Sequence, residues 1–188
     1  YHAQSNYQSA LTYYSEAVRH NPEYVAPQFG LGQMHMVNSE YKQARICFER
    51  TLKAQPTNTD ALKVLGSLYR REGRVADALT ALTKGLDFAL SLNKLEAVRS
   101  ALTAQAKAYR NLGDVDRCLE LLYRAVGVSL EMEEDGSRAD TYGEIGDILV
   151  EKGDMEGAAE FYDRAISAMD QDQGPLSTYD VDDRAQGF

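Results

Sequence analysis

LKVLGSLYRREGRVADAL, residues 62–79, decides the fold, because its residue types return along the chain at fixed distances. Leu65-Gly66 repeats Leu31-Gly32 at a step of about 34 residues, and Ile145-Gly146 echoes it weakly. Tyr69, Gly73 and Ala78 return as Tyr109, Gly113 and Cys118 at a step of about 40 residues. Gly113, Cys118 and Ala125 return at the same longer step as Gly153, Ala158 and Ala165. Upstream, Tyr41, Ala44, Phe48 and Pro56 stand one shorter step after Tyr7, Ala10, Tyr14 and Pro22. A period held this way across a whole chain is the signature of stacked structural repeats. The units run over about 1–24, 25–58, 59–98, 99–138 and 139–170.

Each unit reads as two helices and a tight turn. Gly73, Gly113 and Gly153 fall at mid-unit, where a glycine takes positive φ and closes one helix. Asp114 and Asp154 follow as caps for the next helix. Ala158, Tyr162 and Ala165, spaced by four and three, share one helical face. Ala10, Ala44, Ala78, Cys118 and Ala158 are the small residues at which neighbouring helices come close. Pro22 and Pro56 mark the ends of second helices. No period-two alternation is long enough for a sheet. The expected fold is an all-α, right-handed superhelical solenoid with second helices at about 41–54, 75–91, 115–133 and 155–169. The first unit is incomplete, with residues 1–5 a remnant of its first helix, and 171–188 form an acidic tail or linker.

Composition narrows the function. The 188 residues are 44% hydrophobic and 26% charged, a globular balance. No apolar run approaches the ~20 residues of a membrane span, and no charged-then-apolar leader opens the sequence. The chain starts at Tyr1 and reads as a fragment or processed product. Cys47 and Cys118 cannot form a disulfide framework, which points to a reducing compartment, nuclear or cytoplasmic. Residues 1–130 carry 16 Lys+Arg against 12 Asp+Glu, while 131–188 carry 4 against 17. That distribution disfavours direct nucleic-acid binding. The acidic end reads first as a solubilising surface, and second as a docking face for a basic partner.

The Leu-Gly, aromatic, Gly, Ala, aromatic, Ala, Pro order over about 34 residues resembles the tetratricopeptide repeat (TPR). FGLGQMHM with YKQARICFERTLKAQP, and LKVLGSLYRREGRVADAL, carry it early in the chain; AYRNLGDVDRCLELLYRAV and IGDILVEKGDMEGAAEFYDRAI carry it later. The later units have Leu90, Leu130 and Asp170 in place of the terminal proline and six extra residues each. In that respect they resemble the repeats of Pins-like polarity adaptors and kinesin light chains. Residues 1–70 also resemble the large TPR scaffold subunit of the RNA polymerase II-associated factor complex, through NYQSALTYYSEAV, FGLGQM, CFERTLKAQP and LKVLGSLY. These resemblances imply a protein-binding scaffold, with other subunits of a multiprotein complex as partners and a place in transcription elongation. The alternatives are a structural spacer within a longer repeat protein and a cytoplasmic adaptor.

No catalytic constellation competes with that reading. His2, His20 and His35 lack metal-ligand spacing. Cys118 occupies a small packing position, and Cys47 has no paired base. GDMEG and GDVD lack the alternating oxygen ligands of a calcium loop, and no phosphate cradle or nucleophile elbow occurs. The chain is expected to be no enzyme and to need no cofactor or metal.

The candidate binding surface is the inner face of the first helices, which lines the groove in stacked helix pairs. Lys63 and Arg70 are seven apart and Lys107 and Arg110 three apart, so each pair shares a helical face. Arg70 and Arg110 are equivalent across the longer period, and Arg71 lies on the flank. The preceding unit places Phe29, Gln33, Met36 and Val37 on the same face, and the last places Asp140, Asp147, Val150 and Glu151 there. Such a groove suits a protein or peptide segment of acidic character with a hydrophobic anchor. The resemblance extends to chaperone-tail clamps only at Lys63; Ser67 stands where that clamp has asparagine or arginine. Asp180, Asp182 and Asp183 of the tail would complement the basic row, although a free tail is the expected state.

Overall fold

The computed structural model describes the backbone of residues 2–132 and 136–172 and the side chains of 8–132 and 138–169. The helices are α1 (His2–His20), α2 (Val25–Val37), α3 (Tyr41–Ala54), α4 (Thr59–Arg71), α5 (Val75–Ser91), α6 (Leu95–Asn111), α7 (Val115–Glu131), α8 (Gly136–Glu151) and α9 (Met155–Asp172). No strand occurs among the described residues. The fold is an all-α helical-repeat solenoid, as the period implies. The second helices fall where the sequence places them, except that α7 ends two residues before its expected end and α9 runs three residues past. The acidic-tail readings on 173–188 lie outside the described residues.

One expectation fails at the start of the chain. Residues 2–5 are not a separate first-helix remnant; they belong to the single helix α1. In the repeat register Ser5 is the counterpart of Ser39, which adopts φ +61° in a turn. No glycine or proline in Gln4-Ser5-Asn6 enforces such a turn, so the helix continues through it.

Five three-residue turns share one backbone device. Ser39, Gly73, Asn93, Gly113 and Gly153 all sit in the left-handed region, with φ between +50° and +82°. At each, two orphan carbonyls of the closing helix are satisfied. The Gly73 N–H donates to the Arg70 carbonyl (3.1 Å) and the Arg74 N–H to that of Tyr69 (2.8 Å). The same pair recurs from Gly113 and Asp114 to Arg110 and Tyr109, and from Gly153 and Asp154 to Val150 and Leu149. The carboxylates of Asp114 and Asp154 then accept from the N–H groups of Arg117 (3.2 Å) and Gly157 (3.0 Å), as caps.

The chain divides into two compact units, Tyr1–Met132 and Glu133–Phe188. In the first, each helix packs on its neighbour in sequence from α1 to α7, and α4 also meets α6. Glycines of the first helices meet large side chains of the second: a Cβ on Gly66 would lie 2.5 Å from Leu82 Cγ, and one on Gly32 would lie 2.9 Å from the Phe48 ring. In the second unit α8 packs on α9 through buried Ile145, Ile148, Ala158 and Ala165, with Gly146 under the Tyr162 ring.

Two stability predictions follow from this packing. Ala44 and Ala158 are 0% and 2% exposed. Ala44→Leu and Ala158→Leu should each cost about 1–3 kcal/mol by overpacking, and urea melts within error of the parent for both would show the helix-pair contacts to be placed wrongly. Gln28 is 1% exposed, and its amide oxygen and nitrogen have no hydrogen-bond partner among the described residues. Leucines 62 and 102 occupy the equivalent positions of the next two units. Gln28→Leu should therefore stabilise the chain by about 1–3 kcal/mol, read as a higher urea midpoint at unchanged slope.

Candidate functional site

The face shared by α4 and α6 holds a cavity of about 330 Å³. Helix α4 starts cleanly, because the Asn58 side-chain oxygen accepts from the Ala61 N–H at 2.9 Å. From there Ala61, Leu62, Leu65 and Leu68 turn into the core. Lys63, Ser67 and Arg70, spaced by four and three, are thereby left along the cavity wall. Helix α6 does the same: Val98, Leu102 and Ala106 are buried, while Ser100, Thr103 and Lys107 line the opposite wall. Leu82 of α5 and Met36 of α2 supply apolar surface.

Charge at the site is one-sided. Lys63, Arg70 and Lys107 all line the cavity, and among the described residues no carboxylate does. Lys63 and Arg70 are half-buried and make no ion pair or side-chain hydrogen bond to another described residue. The Thr103 hydroxyl is turned to its own helix, contacting the carbonyls of Arg99 (3.2 Å) and Ser100 (3.0 Å). Asp60 lies beyond Lys63, on an adjoining cleft of about 20 Å³ that shares Lys63 and Ser100.

The remaining expected residues are placed elsewhere. Phe29 turns its ring edge-on to Phe48, centroids 5.2 Å apart and planes at 73°, and packs on the core. Gln33 is exposed and Arg110 half-buried, and neither lines the cavity. Arg71 lies on a separate open cleft, its guanidinium 3.9 Å above the Tyr41 ring. In the second unit Asp140, Asp147, Val150 and Glu151 are exposed, and Asp147 accepts a hydrogen bond from the Tyr162 hydroxyl at 2.8 Å. Ser100 and Thr103 were not singled out from the sequence, although they precede Lys107 by seven and four residues and so share its face.

Reactive side chains are few. Burial pushes the Cys47 thiol above its usual range, so the nucleophilic thiolate is disfavoured. Among the described residues no cluster of His, Cys, Asp or Glu is arranged to hold a metal ion, and no helix is long and apolar enough to cross a membrane. The Tyr69 hydroxyl, partly desolvated, donates to Glu49 at 3.0 Å, and Glu49 also pairs with Arg45 at 2.8 Å. That network ties α3 to α4 away from the cavity.

Profiles of the tetratricopeptide repeat match residues 1–68 and 103–175. RNA polymerase-associated protein CTR9 of Caenorhabditis elegans is 29% identical over 185 residues, covering 93% of this chain but only 16% of its own length. BtubC (BKLC) from P. vanneervenii superposes with a TM-score of 0.83 at 17% identity, covering 100% of this chain and 81% of its own. YrrB, a TPR protein with an unusual peptide-binding site, superposes with a TM-score of 0.65 at 23% identity, over 91% and 82% of the two chains. At such identities the two structures speak for the fold alone.

Because Lys63 and Arg70 stand outside the core, removing them should leave the fold intact. Lys63→Ala and Arg70→Ala should each shift stability by no more than about 0.5 kcal/mol. A drop of several kcal/mol in either urea melt would mark these side chains as structural.

Proposed function

Because the chain belongs to the tetratricopeptide-repeat family, whose repeats build protein–protein interaction scaffolds, we propose that it holds an acidic segment of a partner protein in the cavity between α4 and α6. The observation that carries this reading is the convergence of Lys63, Arg70 and Lys107 on one concave space whose described lining residues include no carboxylate. Met36, at the α2 end of the same space, receives the segment's hydrophobic anchor, a part the sequence had shared between it and Phe29. Ion pairs of this kind set encounter rate and register more than raw affinity, so binding weakens as salt rises. YrrB, named for a peptide-binding site, lends support by analogy of fold.

The parent assembly is the finer part of the proposal. Similarity to an RNA polymerase-associated protein over nearly the whole chain supports a scaffold segment of a nuclear, transcription-elongation complex, in which the 188 residues are a small part of a long repeat protein.

The test is made in the longer protein. Lys63→Glu with Arg70→Glu presents like charge to an acidic segment at two points of the cavity. Purified from cells beside the parent and quantified by mass spectrometry, the double variant should lose at least one co-purifying subunit about tenfold, with an unchanged melting temperature. Retention of every subunit at parental levels would leave the chain a spacer, with binding elsewhere.

A further inference from the structure

Helix α9 carries an apolar stripe that no described residue of its own unit covers. Met155, Ala159, Tyr162, Ile166 and Met169 follow one another at spacings of four and three, so they share one face. Met155, Ile166 and Met169 are 62%, 57% and 49% exposed. Within its unit α9 packs on α8, beside which Ala158, Ala165 and Ala168 are buried on the neighbouring face. Apolar side chains exposed singly are ordinary, whereas a run of them along one helical face marks an interaction surface.

Helix α5 shows what kind of element covers this face. Two of the longer repeat steps before the stripe stand Val75, Leu79, Leu82, Leu86 and Ala89. Helix α5 packs on both α4 and α6, and there Leu82, Leu86 and Ala89 are buried. Two hydroxyls face the covering helix. Thr83 accepts a hydrogen bond from the Gln105 amide of α6 at 3.1 Å, and Ser67 of α4 lines the same cavity as Lys107 of α6. In the last repeat both positions are carboxylates, Asp163 and Asp147. Asp147 accepts from the Tyr162 hydroxyl at 2.8 Å, a bond that leaves its charge uncompensated. Asp163 and Glu156, seven residues apart, form no ion pair with another described residue, and Arg164 is held by Glu160.

The geometry points to α9 as the docking face for a basic amphipathic helix of a partner protein, seated on α9 as α6 is seated on α5. Apolar residues of that helix, spaced by three and four, meet Ile166 and Met169, and its lysines and arginines reach Asp147, Asp163 and Glu156. Charge selects among the possible occupants. A second copy packed stripe to stripe brings Glu156 and Asp163 towards like charge. Residues 173–188 hold Asp180, Asp182 and Asp183 against Arg184 and add further negative charge. Helix α9 shares no residue with the α4–α6 cavity, so docking there does not depend on the acidic segment.

Fluorescence anisotropy on the intact 188-residue chain tests this docking with a labelled peptide of residues 94–112 as the probe. The peptide is α6 with one flanking residue at each end, and carries Lys94, Arg99, Lys107 and Arg110 against Glu96. It should bind at low salt. Ile166→Asp with Met169→Asp should weaken binding about tenfold or more, with an unchanged urea melt because both side chains are exposed. Gln105→Lys in the peptide should tighten binding several-fold to the parent chain but not to Asp163→Asn. A peptide with all four cations replaced by glutamate should not bind. Absence of binding by the parent chain overturns the inference, as does binding that survives the α9 double variant or is indifferent to the peptide's charge. A dimer in sedimentation that the same double variant abolishes gives the face to a second copy and also overturns it. So does failure of the longer protein to bind the probe, since another segment of that protein then covers α9.

Discussion

Close approach between a small residue on one helix and a large one on the next is the constraint on which the rest of this structure depends. Gly66 admits Leu82, Gly32 admits Phe48 and Gly146 admits Tyr162, each so closely that an added methyl group would meet the partner within 3 Å. Phe48 and Leu82 are nearly or fully buried there, and burying such a side chain contributes about 1.5–3 kcal/mol. The same contacts fix the rotation of α2, α4 and α8. Once Gly66 faces Leu82, Leu62 and Leu65 must point inward, and Lys63, Ser67 and Arg70 are delivered to the other side. Packing therefore sets the chemistry of the cavity, although none of the packing residues carries charge.

Much of this was legible in the chain itself. The glycines at 73, 113 and 153 announced their turns because a positive φ there is open to glycine at little cost. Ser39 and Asn93 adopt the same geometry without that signal, and only the length of the flanking helices betrays them. The start of the chain was harder: a turn expected from the repeat register is instead continuous helix, since register alone does not break a helix that contains no breaking residue.

The cavity shows where sequence equivalence stops being spatial equivalence. Arg70 and Arg110 occupy matching places in successive repeats, yet the cavity is closed by Lys107, Thr103 and Ser100 rather than Arg110. Lys107, the counterpart of Ser67 in the longer repeat register, lines the cavity together with Arg70. Phe29 teaches a related lesson. Its position on the inner face was readable, but the edge-on contact with Phe48 depends on a neighbouring helix and draws the ring into the core. Met36, unbranched, remains in the cavity's apolar lining with Val64, Leu82 and Ala104.

The proposed binding is spatially specific: an acidic segment would lodge in one cavity, bounded by α4 and α6. Amide chemical-shift mapping of the isotopically labelled chain during titration with a ten-residue oligoglutamate at low salt tests it most directly. The largest shifts should fall on Lys63, Val64, Ser67 and Arg70 together with Ser100, Thr103 and Lys107, and should fade as salt is added. Shifts centred instead on Tyr41 and Arg71, or spread evenly over the exposed lysines and arginines, would contradict it.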